Sequence, residues 1–289
     1  MSVSTKIKEA ASAKVADIGN QQVACVIPMR LASTRLEKKM LAQIGDLSVS
    51  QRCVGRALEI FNDVEQVKVI VAVDSVQLKE HILKAHPEVE IQITNAQIPS
   101  GTDRVFEAFC QYLTDKKIEQ SRFSGIINLQ GDVPFVAKEG LQRVARYFLE
   151  SDSEQLIQNP IVTLAQNFTS DLNFEDPSAV KVISDRFGRA LYFSRFPIPY
   201  SKVPYCAQAD LVPEAKLHVG VYGYTPQMLA QFCSHAPTPL ELLEGLEQLR
   251  ALWLGARILV FQTECDSGES YRGIDTIKDL EWAKNFAKK

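Results

Sequence analysis

A short basic loop follows the first apolar run of the sequence. The run is Val23–Pro28, and the loop after it ends at Lys39 and contains four cations together with Ser33 and Thr34. Arginine forks, hydroxyls and backbone amides all bind phosphate oxygens, and a lysine adds a point charge. The loop would therefore suit a triphosphate. On composition alone, the alternative is a solvated basic loop that binds nothing.

Two Gly-containing segments each offer one carboxylate. Asp132 follows Gly131 after another apolar run, and Asp275 lies in the segment Gly273–Thr276 near the end of the chain. One or two carboxylates together with phosphate oxygens form the usual Mg²⁺ site of nucleotide enzymes. Taken singly, the first segment is equally well a tight turn and the second a helix N-cap.

Strand and helix patterns alternate in the first half of the chain, which predicts a mostly parallel sheet covered on both faces. Apolar runs of strand length are Val23–Pro28, Val67–Val73, Glu90–Ile93 and Gly125–Gln130. Helical patterns cover Ser50–Phe61, Val76–Ala85 and Thr102–Leu113, and Ser75 is a potential cap for the second of these. In an open α/β sheet, ligands bind beyond the carboxyl ends of the strands, where the basic loop and Asp132 are expected.

The second half of the chain has a different pattern. Ala179–Ser184 and Ala190–Ser194 flank a turn and predict a hairpin, and Leu240–Trp253 predicts one helix with glutamates on one side. Arg257–Gln262 predicts a late strand, and Ile277–Phe286 predicts a closing helix. We expect an N-terminal arm at 1–21 and a single α/β domain at 22–289, with a β-rich insertion at about 180–235.

Composition excludes several classes of function. The net charge is −3 without a basic stripe, so nucleic acid is not an expected partner, and the six scattered cysteines form no Cys-x-x-Cys pair for zinc. The charged N-terminal segment does not resemble a secretory signal, and no run reaches the length of a membrane span. No Gly-x-Gly-x-x-Gly follows the first strand, which disfavours a dinucleotide-dependent oxidoreductase. A cytoplasmic protein with reduced thiols is expected.

The histidines at positions 81 and 86 lie on or after a predicted helix and have no second metal ligand in register, so we interpret them as structural. The glutamates at 241, 244 and 247 could simply form the solvated face of a helix.

Nine segments, in order along the chain, resemble the CMP-Kdo synthetases, which are 3-deoxy-manno-octulosonate cytidylyltransferases. They are Arg30–Leu41, Ser100–Arg104, Asn128–Pro134, Ala179–Val182, Ala190–Arg195, His218–Tyr224, Pro239–Glu241, Leu246–Arg250 and Gly273–Thr276. The ordered similarity extends from about residue 23 to about residue 285, which makes it far more specific than any single motif.

The resemblance implies a nucleotide-diphospho-sugar transferase fold, which is a Rossmann-like α/β sandwich with an inserted dimerisation and sugar-binding region. It also implies roles for individual residues. The residues implied to hold the CTP phosphates are Arg30, Ser33, Arg35 and Lys39. Those implied to line the cytidine pocket are Ser100, Gly101 and Thr102. The implied Mg²⁺ ligands are Asp132 and Asp275, which with Lys39 form the catalytic group. Those implied to contact the sugar acid are Arg195, His218, Tyr222, Glu247 and Gln248.

The implied reaction is attack of the sugar's anomeric hydroxyl on the α-phosphate of CTP, with release of pyrophosphate. Such transfer depends on positioning and charge neutralisation, and it requires no protein nucleophile. The resemblance further implies a homodimer and a role in making a lipopolysaccharide precursor.

Three departures from the family pattern leave alternatives open. Glu37-Lys38-Lys39-Met40 replaces Pro-Gly-Lys-Pro, Val133 replaces a glutamate, and Gln97–Pro99 precedes the expected base pocket. These changes allow a paralogue that acts on a related acid sugar such as 8-amino-Kdo, or a transferase that uses another sugar acid or base. They also allow a weakly active or non-catalytic homologue with a regulatory or scaffolding role.

Overall fold

A computed structural model describes residues 21–32, 36–168, 174–200 and 215–288 of the chain. The predicted N-terminal arm therefore lies outside the described residues, apart from Gln21. The predicted insertion at about 180–235 is described only in part, and it stays a prediction.

A sheet of nine strands forms the centre of the molecule. The strands are β1 (Gln22–Pro28), β4 (Val67–Val73), β5 (Glu90–Ile93), β6 (Phe123–Asn128), β7 (Ile161–Gln166), β8 (Lys181–Ser184), β9 (Ala190–Ser194), β10 (Ala215–Tyr224) and β11 (Ile258–Gln262). The main order is β11-β7-β10-β6-β1-β4-β5, and β8 and β9 extend it beside β10. A separate two-stranded ribbon consists of β2 (Gln43–Ile44) and β3 (Leu47–Ser48).

The sheet is parallel except for the pairs that involve β10 and for the predicted hairpin of β8 and β9, and this confirms the predicted α/β class. Strand β1 pairs in parallel with both β4 and β6, whereas β10 is antiparallel to β6, β7 and β8. The carboxyl ends of β1, β4, β5 and β6 consequently share one edge of the sheet. The basic loop after Pro28 and the segment that contains Asp132 both begin at this edge.

Helices cover both faces of the sheet. The described helices are α1 (Val49–Phe61), α2 (Val76–Leu83), α3 (Gly101–Lys116), α4 (Lys138–Glu150), α5 (Ser153–Gln158), α6 (Pro226–Cys233), α7 (Pro239–Glu244), α8 (Gln248–Trp253) and α9 (Ile277–Phe286). Helices α1, α2, α4 and α9 contribute to one buried cluster, and α3, α6 and α8 contribute to the other. Short 3₁₀ turns occur at Lys39–Leu41 and Gln120–Arg122.

Strand β1 shows how the sequence pattern produces this arrangement. Val23, Cys25 and Ile27 point into the first cluster, while Ala24 and Val26 point into the second. All five are fully buried, because successive side chains of a strand alternate between the faces and both faces carry helices. A continuous apolar run is the sequence pattern that such a strand requires.

Hydroxyl side chains cap most of the helices that border the site. Ser75 caps α2 and Thr276 caps α9, each within a segment that was predicted to cap a helix, and Ser100 caps α3 by accepting from the amide of Asp103. Each such bond satisfies an amide that the first helical turn leaves unpaired.

The prediction of a single helix at Leu240–Trp253 is wrong. Helix α7 ends at Glu244 because Gly245 adopts a left-handed conformation with φ of 61°, and α8 begins only at Gln248. Glycine is the usual residue at such helix ends. The break turns the glutamates in different directions, and the interpretation of a shared solvated face is wrong as well.

A buried ion pair joins α7 to α8. Arg250 donates to both carboxylate oxygens of Glu241, and their side chains are only 5% and 8% exposed. The guanidinium also lies 4.4 Å from the ring centroid of Phe232. Removing one partner of such a pair leaves a buried charge without compensation, which is costly.

We therefore expect Glu241→Ala to lower the free energy of unfolding by about 3 kcal/mol. Lys116→Ala is the control, because it removes the exposed pair between Lys116 and Glu90 and should cost much less than Glu241→Ala. Urea denaturation at pH 7 measures both values. Equal losses in the two variants would contradict the special weight given to the buried pair.

Candidate active site

A cavity of about 350 Å³ opens at the carboxyl edge of the parallel strands. Its lining residues come from six segments of the chain and include cations, carboxylates and small residues. They are Pro28, Met29, Arg30, Lys39, Met40, Ile98, Pro99, Ser100, Gly101, Arg104, Gln130, Gly131, Asp132, Glu247 and Asp275. The structure thus brings together seven of the residues singled out from sequence.

Lys39 lies between the two predicted metal carboxylates. Its Nζ donates to Asp132 Oδ2 at 2.6 Å and to Asp275 Oδ1 at 3.0 Å. Burial opposes the charge on Lys39, but the two carboxylates outweigh it, so that the pKa of Lys39 is raised. The ammonium is therefore fully protonated at neutral pH, and the carboxylates converge on a single positive charge.

Backbone contacts bring Asp132 and Asp275 together. The amide of Ile274 donates to the carbonyl of Asp132 at 2.9 Å, which sets the neighbouring Asp275 beside it. Gly131 allows the close approach, because a Cβ there would lie 2.5 Å from Met29 Cγ and 2.7 Å from the Pro28 carbonyl oxygen. Only glycine fits at this position without displacing β1 or the Asp132 loop.

The structure accounts for two of the departures from the family motif. Lys38 takes the place of a glycine and has φ of 50°, so the turn keeps a left-handed residue without a glycine. Val133 is 9% exposed and packs in the first core cluster, where its side chain contributes to packing in place of a charge. Glu37 is exposed, and no ion pair involves it within the described part of the chain.

A chain of hydrogen-bonded polar side chains links two lining residues of the cavity, Gln130 and Glu247. Gln130 Nε2 donates to Asn128 Oδ1, Asn128 Nδ2 donates to Thr102 Oγ1, and Thr102 Oγ1 donates to Glu247 Oε2 at 2.7 Å. Thr102 therefore lies behind the lining residues Ser100 and Gly101 and holds Glu247. Sequence reasoning gave no role to Asn128 or Gln130, although both belong to the quoted segment before Asp132.

The carboxyl group of Glu247 is partly withdrawn from water. Burial raises the pKa of Glu247, while the hydrogen bond from Thr102 and the nearby Arg250 act in the opposite direction. Its charged form is thus less stable than that of an exposed glutamate, and a polar ligand that donates to it would relieve this cost.

Arg104 is a cavity residue to which sequence reasoning gave no role. It is 3% exposed and donates to Thr94 Oγ1 and to the Asn95 carbonyl, and burial lowers its pKa. Arg30 is exposed at the other side of the loop, where the carboxylate of Asp74 accepts from the amide of Leu31. The cation of Arg104 could have been inferred from its spacing after Ser100-Gly101-Thr102, one helical turn from the N-terminus of α3.

Four of the five predicted sugar-binding residues do not line this cavity. Arg195 donates to the carbonyls of Glu244, Pro177 and Gly245. These bonds engage both its Nε and its terminal nitrogens. As placed here, the guanidinium supports the region around α7 instead of facing the cavity.

His218 and Tyr222 lie on β10, one strand away from the cavity. Burial lowers the pKa of His218 to about 3, so its ring is neutral at pH 7, with Nε2 3.1 Å from Thr163 Oγ1. Among the described residues, the buried atoms Tyr222 Oη and Gln248 Nε2 have no hydrogen-bond partner. Buried polar groups without partners are uncommon, and neither Tyr222 nor Gln248 is among the lining residues of the cavity.

Two of the predicted phosphate ligands, Ser33 and Arg35, lie outside the described residues. In the part of the chain that the structure describes, no group of three or more His, Cys, Asp or Glu side chains could hold a metal ion. The same part contains no helix long and apolar enough to cross a membrane.

Comparison with known proteins identifies the family. The model of the family described as cytidylyltransferase matches residues 24–258, which is most of the chain. The chain belongs to the cytidylyltransferase family. The resemblance inferred from sequence is thereby confirmed.

Individual members of this family are similar to the chain over most of its length. The chain is 36% identical over 276 residues to the 3-deoxy-manno-octulosonate cytidylyltransferase of Verminephrobacter eiseniae, covering 91% of this chain and 93% of the relative. The enzyme of that name from Leptothrix cholodnii is 37% identical over 262 residues, covering 89% and 88%.

A solved structure also matches this cytidylyltransferase over nearly its whole length. It is CMP:2-keto-3-deoxy-manno-octonic acid synthetase in complex with CTP, with a TM-score of 0.75 and 28% identity. The match covers 93% of this chain and 99% of the other. The predicted fold is therefore confirmed at the level of the α/β architecture.

The position of Glu247 leads to a prediction about stability and pH. Because the folded-state pKa is raised, the folded protein holds this proton more tightly, and stability is lost as pH rises above the ordinary value of 4.5. Glu247→Gln should therefore raise the melting temperature at pH 7 and have little effect near pH 4. Thermal unfolding at the two pH values, with the exposed Glu88→Gln as control, measures this. A variant less stable than wild type at pH 7 would contradict the expectation.

Proposed function

We propose that this cytidylyltransferase uses CTP and Mg²⁺ to activate 3-deoxy-manno-octulosonate (Kdo), giving CMP-Kdo and pyrophosphate. The observation that carries the proposal is the convergence of Asp132 and Asp275 on Lys39 at the floor of a polar cavity. The activities for which the curated relatives are named supply the identity of the base and the sugar acid.

The nucleotide end of the cavity contains the groups that a triphosphate needs. Arg30, Lys39 and Arg104 supply positive charge there, and the N-terminus of α3 begins at Gly101. Helix N-termini present unpaired amides that bind phosphate. In this proposal Lys39 donates to phosphate oxygens, and Ser100 and Gly101 border the base.

The two aspartates fit a magnesium ion. Their oxygens already lie within 3.0 Å of one cationic nitrogen, so they converge without rearrangement of the backbone. Two carboxylates leave room for the phosphate oxygens and waters that Mg²⁺ prefers as its remaining ligands. When bound, the ion would neutralise the phosphates, lower the pKa of the attacking hydroxyl and stabilise the leaving pyrophosphate.

The chemical step is an in-line displacement. The anomeric hydroxyl of the sugar loses its proton to solvent as its oxygen forms a bond to the α-phosphorus, the bond from that phosphorus to the bridging oxygen breaks, and pyrophosphate leaves with the electron pair. The residues of the chain hold the two substrates in line and neutralise the charge on the phosphates, which supplies most of the acceleration in such transfers.

The sugar acid is proposed to bind between Glu247 and β10. Glu247 lines the cavity and accepts hydrogen bonds, and Tyr222 Oη and Gln248 Nε2 are buried polar atoms without partners in the described structure. A polyhydroxylated ligand offers both donors and acceptors to these groups. The roles of Arg195 and His218 in binding the sugar stay predictions.

The proposal also covers the cellular location of the protein and its oligomeric state. We place the reaction in the cytoplasm, where reduced conditions agree with the thiols of Cys25, Cys53, Cys233 and Cys265, and we assign the product to lipopolysaccharide synthesis. We also propose a homodimer. Leu242, Leu243 and Phe196 are 70%, 83% and 76% exposed, and the backbone amide before Phe196 is bonded to Glu244 at the end of α7. Neighbouring exposed apolar side chains of this size favour association.

Pyrophosphate release from the purified protein tests the proposed reaction. The assay combines Mg²⁺ and Kdo with CTP, UTP, ATP or GTP in turn. Release should be fastest with CTP, and Asp132→Asn should lower kcat about a thousand-fold, since metal coordination contributes several kcal/mol. Asp115→Asn, which changes an exposed carboxylate outside the cavity, should have no effect.

Each other outcome has a definite meaning. Release with 8-amino-Kdo but not with Kdo would replace the sugar and keep the chemistry. Release with UTP in preference to CTP would contradict the proposed base. Folded protein that is inactive with every pair would overturn the catalytic proposal in favour of a binding or scaffolding role.

The dimer leads to a separate prediction. Leu243→Glu should shift the protein towards the monomer, because it introduces a charge into the apolar surface formed by Leu242, Leu243 and Phe196. Light scattering coupled to size-exclusion chromatography measures the mass, and Ile157→Glu, at an exposed residue of α5, is the control. A wild-type protein that runs as a monomer at micromolar concentration would contradict the assembly alone.

A further inference from the structure

A buried serine holds the turn that carries Lys39. Ser50 lies in the first turn of α1, is fully buried, and donates from Oγ to the carbonyl oxygen of Met40 at 2.8 Å. Met40 follows Lys39 in the same 3₁₀ turn. The hydroxyl therefore fixes the carbonyl of the residue that follows the lysine in contact with both carboxylates.

Two further side chains extend this contact to α2. His81 Nε2 lies 2.8 Å from Ser48 Oγ, and Ser48 Oγ lies 3.1 Å from Ser50 Oγ. A carbonyl oxygen can only accept, so Ser50 donates to Met40 and must accept from Ser48. Ser48 has then used its proton and must accept from His81. The neutral imidazole consequently carries its proton on Nε2. The hydrogen bonds from His81 through Ser48 and Ser50 to Met40 then all donate in the same direction.

The turn has a particular need for an outside contact. Lys38, just before it, holds φ of 50°, a conformation that glycine adopts freely and other residues do not. The family motif has glycine at this position and proline at the position of Met40, and this chain has neither. Nothing in the local sequence therefore favours the conformation that points Lys39 at Asp132 and Asp275.

We propose that Ser50, oriented by Ser48 and His81, is a positioning residue for Lys39 in nucleotidyl transfer. The expected effect on kcat rests on the proposed function, whereas the expected effect on the conformation of the Lys39 turn does not. Ser50 does not line the cavity. It acts through its hydrogen bond to the carbonyl of Met40, and Met40 is a lining residue. Small displacements of a catalytic group cost large factors in rate, so the loss of one hydrogen bond at this point should be visible in kcat.

The central test is Ser50→Ala. We expect kcat to fall about ten-fold with KM for the sugar acid unchanged, because the hydrogen bonds of Ser50 lead to the Lys39 turn and not to Glu247. The double variant Ser50→Ala/Lys38→Gly should recover most of that loss, because glycine accepts the left-handed conformation without support. His81→Ala should have a smaller effect than Ser50→Ala, since the bond to Met40 survives.

The matched control is Ser124→Ala. It also removes a hydroxyl that donates to a backbone carbonyl, that of Gln22, at the amino end of β6 and away from the cavity. It should leave kcat unchanged. If Ser124→Ala and Ser50→Ala lower kcat equally, or if Lys38→Gly brings no recovery, Ser50 has only a general structural role and the proposal is overturned.

Hydrogen exchange separates this inference from the proposed function. Peptides covering 36–44 should exchange faster in Ser50→Ala than in wild type, and the double variant should reverse the change, whether or not the protein transfers CMP to Kdo. An inactive wild type with this exchange pattern would overturn the proposed function and leave the positioning of Lys39 supported. Unchanged exchange at 36–44 in Ser50→Ala would overturn the positioning.

Discussion

The ion contacts of Lys39 with Asp132 and Asp275 are the constraint on which the rest of the site depends. They join three parts of the chain, because Asp132 lies 93 residues after Lys39 in the sequence and Asp275 lies 236 residues after it. The ammonium of Lys39 and the two carboxylates are partly buried. Removing one of these groups would leave a charge that is neither fully paired nor well solvated, which destabilises the fold. The close approach at Gly131, the bond from Ile274 to Asp132 and the cap at Thr276 all maintain this one cluster.

The elements of the sheet were predictable because burial on both faces leaves a simple pattern. Val67–Val73 and Glu90–Ile93 are strands with the predicted bounds, and Ile277–Phe286 is a helix with the predicted bounds. The helix pattern at Leu240–Trp253 failed because periodicity does not register one left-handed glycine in the middle of an amphipathic run. The antiparallel position of β10 was equally hidden, since pairing direction depends on connections and not on the strand's own residues.

The candidate site was predictable only where single segments carry the chemistry. Asp132 and Lys39 follow apolar strands, so their place at the carboxyl edge follows from the α/β pattern alone. The link from Thr102 to Glu247 spans 145 residues and depends on tertiary packing that brings the residue before α8 beside the first turn of α3, which no local pattern encodes. Likewise, the resemblance assigned Arg195 to the sugar, whereas the structure shows its guanidinium bonded to three carbonyls around α7. Local chemistry identifies which residues are able to act, and tertiary packing decides which of them face the cavity.

The charges around the cavity bear on why a divalent ion belongs to the proposed reaction. The described lining contains the cations Arg30, Lys39 and Arg104, and the carboxylates Asp132, Asp275 and Glu247. The protein charges therefore nearly balance without substrate, and Lys39 is already neutralised by its two neighbours. A triphosphate would bring several negative charges into this balanced site, and Lys39 cannot serve both the phosphates and the aspartates fully. In the proposed reaction, Mg²⁺ held by the aspartates would resolve the conflict, because it would take over the role of the ammonium and release Lys39 to the phosphates. The same argument explains why the orientation of the Lys39 turn matters. In the proposed reaction the ammonium of Lys39 has to move from the carboxylates to the phosphates, and a turn without a fixed conformation would leave it bonded to the carboxylates.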